Sequence, residues 1–367
     1  MSEIRVLHIV GSMNMGGIQV FIMNLLRAID PKKIVFDFAC MNTENYFETE
    51  IKERGGQIFV IGSRKKLLSH FLKLKNVLTS HEYNCIHIHA SHSICVLDAI
   101  VAKIFSPKSK IIFHSHTTQS VSPYIHKLLR IAIPFFSDEY LACSFEAARW
   151  MFPDNIIKNH RYKLIPNGIK ADLYRFDYAT RTSVRDKLGL SKNQCVIGHI
   201  GRQASPKNHL YLLDIFCELL KEIPTAKLVL VGGEGDKTQE IKRKINELEI
   251  EDNILLLGVR KDISDLLSAF DVVVFPSLHE GLPISIIEAQ AAGVPCVISD
   301  TITQEVVLTS LVKKLSLNDP TTKWCKVISE QLAYTINKRL IYNDEIRHSA
   351  FDMENTIKIM CCIYNSK

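Results

Sequence analysis

Two stretches of the chain combine residue types that suit an anionic ligand. In HEGLPISIIEAQAAGVP, Glu280 and Glu288 are separated by seven residues, with Gly281, Leu282 and Pro283 among them. Pro283 fits the first turn of a helix, where its missing N–H would have had no partner. The loop 280–283 then offers free backbone N–H groups, and the positive end of the helix dipole, to an anion. Glu288, about a turn and a half inside that helix, reaches outward as an acceptor for ribose hydroxyls. A buried strand–loop–helix with two merely solvated glutamates has the same pattern, so residue types alone leave both readings open. The second stretch is GRQASPKNH, where Arg202 and Lys207 share one loop. A guanidinium fork and an ammonium suit diphosphate oxygens, although such a loop taken alone is more often just exposed and basic.

The other chemical residues are less specific. His87, His89 and His92 form an HxHxxH array, and on a regular strand the first two share a face. Zinc is one reading of it, but no Cys or obvious carboxylate accompanies the array, and structural histidines are commoner. His114 and His116 close a later strand, also on one face. Gly16 and Gly17 let backbone approach a ligand closely, or simply make a tight turn. Their context, GSMNMGG, does not match GxGxxG, and no GK[ST] follows. The chain has no D-x-D triplet, a common metal-carrying signature.

These residues need elements to hold them. Short apolar runs alternate with helical patterns: IRVLHIV (4–10), then the amphipathic IQVFIMNLLRAI, then CIHIH (85–89), KIIFHSH (110–116), EYLACS (139–144) and YKLIPNG (162–168). A second series follows: CVIGHIG (195–201), KLVLVGG (227–233), NILLLG (253–258), VVVFPS (272–277) and PCVIS (295–299). Apolar strands separated by helices predict parallel sheets covered on both faces. The polar stretch around 167–181 separates the two series. The expected architecture is α/β, with two facing Rossmann-like domains and ligand bound in the cleft between them at the strand carboxyl ends. The first is expected over 1–168 and the second over 169–345.

Bulk properties agree. At 367 residues the chain is too long for one ordinary α/β core. Its +6 formal charge suits anionic small molecules or an acidic membrane surface but is too diffuse for nucleic acid. Ten cysteines without a CxxC pair fit a reduced, cytoplasmic protein. The opening residues lack a signal-peptide pattern, and no run is long enough to span a membrane. GSRKKLLSHFLKLKNVL (62–78) and YIHKLLRIAIPFF (124–136) interleave basic and apolar residues. Either suits the surface of an anionic bilayer, although a core-facing helix with a basic edge is the simpler account of each taken alone.

Gly201-Arg202 with Lys207, LVLVGGEGD (228–236), NILLLG and PSLHEGLPISIIEAQAAGVPCVISD (276–300) resemble the retaining GT-B glycosyltransferases of family four, in the form that serves exopolysaccharide and capsule synthesis. HIVGSMNMGGIQVFIMNLL (8–26), FHSHTT (113–118) and IPNGIKADLY (165–174) match the family's landmarks in order, so the resemblance spans nearly the whole chain. It implies that Arg202 and Lys207 neutralise the donor diphosphate and that Glu288 holds the ribose. Glu280, with backbone from Gly281 to Pro283, would orient the transferred sugar. Gly16 and Gly17 would lie near the donor phosphate, Gly233 and Glu234 would line the donor pocket, and Val259 and Arg260 would meet the base. His116 is the better match to the histidine that contacts the sugar, with His114 second. Residues 346–367 would form a helix returning to the first domain. The reaction implied is metal-independent, retaining transfer from a nucleotide sugar, most simply UDP-linked, to a glycan or lipid-linked glycan. A nucleotide-sugar epimerase on the same scaffold and a non-catalytic sugar-nucleotide-binding protein are the rivals.

Overall fold

The computed structural model describes residues 3–14, 17–43, 45–117, 123–280, 282–333 and 338–366. Gly16 and Gly281 lie outside the described residues. The chain divides into two compact units, residues 1–168 with 353–367, and residues 169–352.

The first unit holds a parallel seven-stranded sheet. Its strands are β1 (Ile4–Val10), β2 (Ile34–Cys40), β3 (Ile58–Val60), β4 (Cys85–Ala90), β5 (Lys110–Ser115), β6 (Glu139–Ala142) and β7 (Lys163–Leu164), in the order β3-β2-β1-β4-β5-β6-β7. β2 escaped the sequence reading because Asp37 interrupts its apolar run. The carboxylate is nonetheless buried, and accepts from Arg5 Nη1 (3.0 Å), the Gln57 N–H (2.8 Å) and Tyr83 Oη (3.3 Å). The amphipathic run after β1 forms the helix Gly17–Ala28, which buries Phe21, Ile22, Met23 and Leu25 on one sheet face. Met360, Ile363 and Tyr364 of the helix Met353–Asn365 join the same cluster.

The second unit holds a parallel six-stranded sheet: β8 (Val196–Ile200), β9 (Lys227–Val231), β10 (Ile254–Gly258), β11 (Val272–Phe275), β12 (Cys296–Ser299) and β13 (Val312–Leu315), in the order β10-β9-β8-β11-β12-β13. Each unit is therefore a Rossmann-like α/β domain. Residues 346–352 stay with the second unit, where Ile346 and Phe351 pack with Ile169 and Ala171. The return to the first unit thus begins at Met353 rather than at residue 346. Buried Arg339 donates to the Leu267 (2.8 Å), Ser268 (3.2 Å) and Phe270 (3.1 Å) carbonyls, ending the helix Ile263–Ala269, and to Ala292 O (3.0 Å), just past the helix Ile284–Ala291. One guanidinium thus satisfies carbonyls that both helix ends would leave orphaned, which fixes the axis of the helix bearing Glu288.

Candidate active site

In each sheet the chain winds outward in both directions from one central pair of strands, β1/β4 in the first and β8/β11 in the second. The loops leaving such a pair at their carboxyl ends diverge and open a crevice for ligand. In the second unit these loops carry the residues singled out above. Arg202 and Lys207 follow β8, and Glu280 follows β11.

Backbone bonds lace three loops together there. Gln203 N–H donates to Gly233 O (3.0 Å), Gly232 N–H to Gly258 O (2.8 Å) and Leu278 N–H to Pro206 O (2.8 Å). Gly232 has φ +149°, and a Cβ on it would lie 2.1 Å from the Gly201 carbonyl oxygen, so only glycine lets these loops touch. Within this frame Lys207 Nζ reaches Glu280 Oε1 at 2.6 Å, and Ser277 Oγ donates to the same oxygen at 2.8 Å. The Ser277 carbonyl is itself held by Ser299 Oγ (2.6 Å) and Thr301 Oγ1 (2.7 Å). The Arg202 side chain is exposed and makes no hydrogen bond or ion pair to the described residues. The structure thus places a free guanidinium on the loop that carries an ammonium already paired with its neighbouring carboxylate.

Pro283 is the N-cap of the helix Ile284–Ala291 rather than a residue of its first turn (φ −73°, ψ 100°), and its carbonyl accepts from Ile286 N–H at 3.1 Å. The correction moves the helix start by one residue. The first helical N–H groups belong to Ile284 and Ser285, and they lack intrahelical partners by construction. Leu282 packs partly into the core. Glu288 does not project freely: its Oε1 accepts from Tyr174 Oη at 2.6 Å. Burial raises the Glu288 pKa, and the Tyr174 bond works against that rise. Val259 is exposed, Arg260 is paired with Asp262 (2.8 Å), and Glu234 with Lys242 (3.2 Å).

Tyr174, Ser277, His199 and His209 were not assigned roles from sequence. Tyr174 ends the IPNGIKADLY landmark, which was the available signal. His209 is buried against the His199 ring (4.5 Å between centroids), neither of its nitrogens has a hydrogen-bond partner among the described residues, and burial, then Lys207, lowers its pKa to about 4. His199 donates its Nδ1–H to the Val274 carbonyl oxygen (2.8 Å).

In the first unit, His114 is fully buried with Nδ1 bonded to His87, whereas His116, just past β5, is half-buried. Gly17 opens the helix whose Phe21 ring lies 5.5 Å from His114 and 6.0 Å from His116. The HxHxxH array is broken up, since His92 turns away to accept from Ile94 N–H. Its place beside His87 and His89 is taken by His8, His114 and His116.

Comparison with known proteins agrees with both halves. Residues 15–173 match the model for Glycosyltransferase Family 4, and residues 180–338 match that for Glycosyl transferases group 1. EpsF of Bacillus subtilis (strain 168), named as a glycosyltransferase, is 30% identical over 99% of this chain and 97% of its own. CapH of Staphylococcus aureus, a capsular polysaccharide biosynthesis glycosyltransferase, is 24% identical over 99% of each. The Escherichia coli UDP-Gal:alpha-D-GlcNAc-diphosphoundecaprenol alpha-1,3-galactosyltransferase is 30% identical over 66% of this chain and 63% of its own. In fold, Anabaena HepE in complex with UDP superposes with TM-score 0.79 at 19% identity, covering 99% of this chain and 100% of that one. The chain belongs to the family-four glycosyltransferases of polysaccharide biosynthesis, with the GT-B fold.

Proposed function

We propose that the protein transfers a hexose from a UDP-sugar to a lipid-linked glycan, with retention at the anomeric carbon and without a metal ion. The observation that carries this reading is the meeting of Lys207, Glu280 and Ser277 at the carboxyl edge of β8 and β11, beside Arg202 and the start of the helix Ile284–Ala291. A diphosphate entering there takes Lys207 from Glu280 and gains Arg202, and the released carboxylate faces the sugar. Two side-chain cations and the helix dipole supply the charge that a divalent ion supplies elsewhere. Glu288, held by Tyr174, takes the ribose, with Gly16, Gly17, Gly233, Glu234, Val259 and Arg260 completing the donor site. His116, at the half-buried end of its strand, contacts the sugar, and buried His114 stands behind it.

UDP is supported by the donor in the E. coli relative's name and by the UDP complex of HepE. The acceptor class is supported by diphosphoundecaprenol in the former, and retention by its alpha linkage, since UDP-galactose is itself an α-glycosyl donor. No carboxylate stands out as a nucleophile. We therefore assign front-face chemistry, in which the departing diphosphate takes the proton of the incoming hydroxyl and the protein supplies position and positive charge. A lipid acceptor calls for contact with a bilayer on the cytoplasmic side. Tyr124 (90% exposed), Leu128 and Phe135 face outward beside Lys127, and the stretch 62–78 exposes Leu67, Leu68 and Leu72 while turning Leu74, Val77 and Leu78 into the core. Among the described residues, no helix is long and apolar enough to cross a membrane.

The deciding experiment supplies UDP-hexoses with and without a polyprenyl-diphosphate sugar and follows UDP release and the anomeric configuration of the product. Acceptor-dependent UDP release with an α-linked product is expected. Conversion of the donor sugar without acceptor would make the protein an epimerase, and binding without any turnover would leave it a sugar-nucleotide-binding protein.

A further inference from the structure

The helix Arg339–Arg347 contributes no residue to the donor site described above, yet it is bonded to both segments that meet there. Arg339 and Asn343 stand four residues apart, so their side chains leave the same face of that helix. Arg339 donates to Ala292 O, and Asn343 takes the carbonyl one residue earlier. Its Nδ2 donates to Ala291 O at 2.9 Å and to Ala171 O at 2.7 Å. Asn343 is 1% exposed. Both of these neighbours are carbonyl oxygens, so the amide must turn its nitrogen toward them, and its two N–H groups match them one to one. Its Oδ1 has no partner among the described residues, which is the lesser defect, because an under-used acceptor is tolerated better than an orphan N–H. An aspartate in this place has no donor, a leucine has none, and a serine has one.

The two carbonyls lie one turn away from the Tyr174–Glu288 bond on both segments. Ala291 follows Glu288 by three residues on the helix Ile284–Ala291. Ala171 precedes Tyr174 by three residues, which is one full turn of the 3₁₀ helix Ala171–Tyr174. These segments are therefore joined twice, by Tyr174 Oη donating to Glu288 Oε1 and by Asn343 donating to both backbones. Apolar packing fills the space between the joints. Ile169, Ala171, Ile287, Ala291, Ile346 and Phe351 form one buried cluster, with Tyr174 packed against it. The backbone closes the same region, since Ile169 N–H donates to Phe351 O at 2.8 Å.

Neither segment is long enough to fix its own position. A single 3₁₀ turn has poor hydrogen-bond geometry, and a helix as short as Ile284–Ala291 depends on tertiary contacts for its stability. A 2.6 Å bond between their side chains nevertheless tolerates little relative movement. We infer that Asn343 is a positioning residue for the donor ribose: by tying Ala171 to Ala291 it sets the separation of Tyr174 and Glu288, and so aims the carboxylate at the ribose hydroxyls. The inference rests on Glu288 as the ribose acceptor, proposed above. Arg339 lies on the same face, but most of its bonds go to the end of the helix Ile263–Ala269, whereas Asn343 bonds to the two segments that carry the pair.

The test uses the full-length protein with tyrosine ¹³C-labelled at the ring carbon that bears the hydroxyl, the Tyr174 signal being assigned by its loss in Tyr174→Phe. Glu288→Leu marks the position of that signal when the bond is broken. Donor-site affinity is measured in parallel with UDP and with its 2′- and 3′-deoxy analogues. Asn343→Leu keeps the volume and removes both N–H groups. It should move the Tyr174 signal toward its place in Glu288→Leu and cut the preference for UDP over the deoxy analogues roughly three- to fivefold, the worth of about one hydrogen bond. Donor KM should rise by a similar factor, with kcat at saturating donor within about twofold of wild type. In a Glu288→Leu background, Asn343→Leu should reduce the preference no further, because the two act through one contact.

An unmoved Tyr174 signal in Asn343→Leu overturns the inference. So does an equal loss of affinity for UDP and its deoxy analogues, or an additive loss in the double variant, since either means general loosening of the domain. If Asn343→Leu fails to fold by circular dichroism, Asn343→Ser, which leaves room for water at both carbonyls, carries the same three readouts. If the Tyr174 signal moves as expected while the wild type binds UDP and its deoxy analogues equally, the clamp stands and the ribose assignment of Glu288 fails.

Discussion

The two domains wind their sheets in the same way about a central strand pair, and both bury neutral histidines there, His199 with His209 in the second, but only the second adds charged groups at the rim. Beneath the β1/β4 crossing lie uncharged imidazoles, three of them with no exposure at all. At the β8/β11 crossing the functional groups are full charges, kept at the rim where Lys207 and Glu280 are 21% and 11% exposed and Arg202 is open. The difference follows from desolvation. A neutral ring with its nitrogens bonded can sit in an apolar core, whereas an ion must keep water, a counter-ion or a ligand. On the proposed roles, the domain that contacts an uncharged sugar can bury its polar groups, and the one that grips a diphosphate must leave its cations at the edge.

The largest effect should come from the charged rim. Arg202→Ala is expected to lower kcat by about 10²–10³, the usual cost of one preorganised charge-stabilising donor, and Lys207→Ala to act similarly. The double variant should lose less than the product of the two, because both serve one diphosphate. Steady-state kinetics checks this, and near-normal rates in either single variant would reduce that residue to a solvated charge.

Acid should weigh more heavily on the other domain, where burial depresses His8, His87, His89, His114 and His116 against only His199 and His209 in the second. His8 and His116 fall from an ordinary 6.5 to about 3 in the folded chain, so between those values the unfolded state binds more protons. Their contribution to stability is complete above pH 6.5 and declines as pH falls toward 3. Each histidine adds a slope of up to about 1.4 kcal/mol per pH unit. Urea midpoints between pH 4 and 7 should drop steeply, with the first domain unfolding before the second. A flat profile would mean that the imidazoles take up protons while folded, and the contrast between the domains would collapse.

Within the charged rim the two glutamates should separate by a smaller margin. Ribose binding changes little between ground and transition states, so Glu288→Gln should raise donor KM about tenfold at near-constant kcat, and Tyr174→Phe should follow it more weakly. Glu280→Gln should act mainly on kcat. Reversal of that split would exchange the two roles. The smallest effect expected is none: transfer should persist in EDTA, and loss of activity restored by Mg²⁺ or Mn²⁺ would mean that the cations at the rim are insufficient.

How much of this could be read beforehand depended on the range of the interaction. The strands β1, β4, β5, β8, β9, β10, β11 and β12 stand out as apolar runs, and Arg202, Lys207 and Glu280 stand out because short loops at strand ends must carry the chemistry. β13, written Val-Lys-Lys-Leu, has no such run. YKLIPNG yields only the two-residue strand β7, because Pro166 and Gly168 stop the ladder. The Tyr174–Glu288 bond and the His8–His89 bond join residues 114 and 81 positions apart. Side-chain pairing at that distance leaves no local periodicity, so HxHxxH suggested His92 as a companion while the actual companions came from two other strands.

The helix Met353–Asn365 has a consequence for how the protein is made. Met360, Ile363 and Tyr364 complete a core whose other members precede residue 169, and the Tyr364 hydroxyl is hydrogen-bonded to His87 Nδ1. On the ribosome that helix emerges only after the whole of residues 169–352. Domains fold as units during synthesis, so the domain encoded first must wait, with one sheet face uncovered, while the domain encoded second already has its full sequence. Order of synthesis and order of completion are therefore reversed, and the nascent first domain is the stage at which a chaperone would find exposed apolar surface.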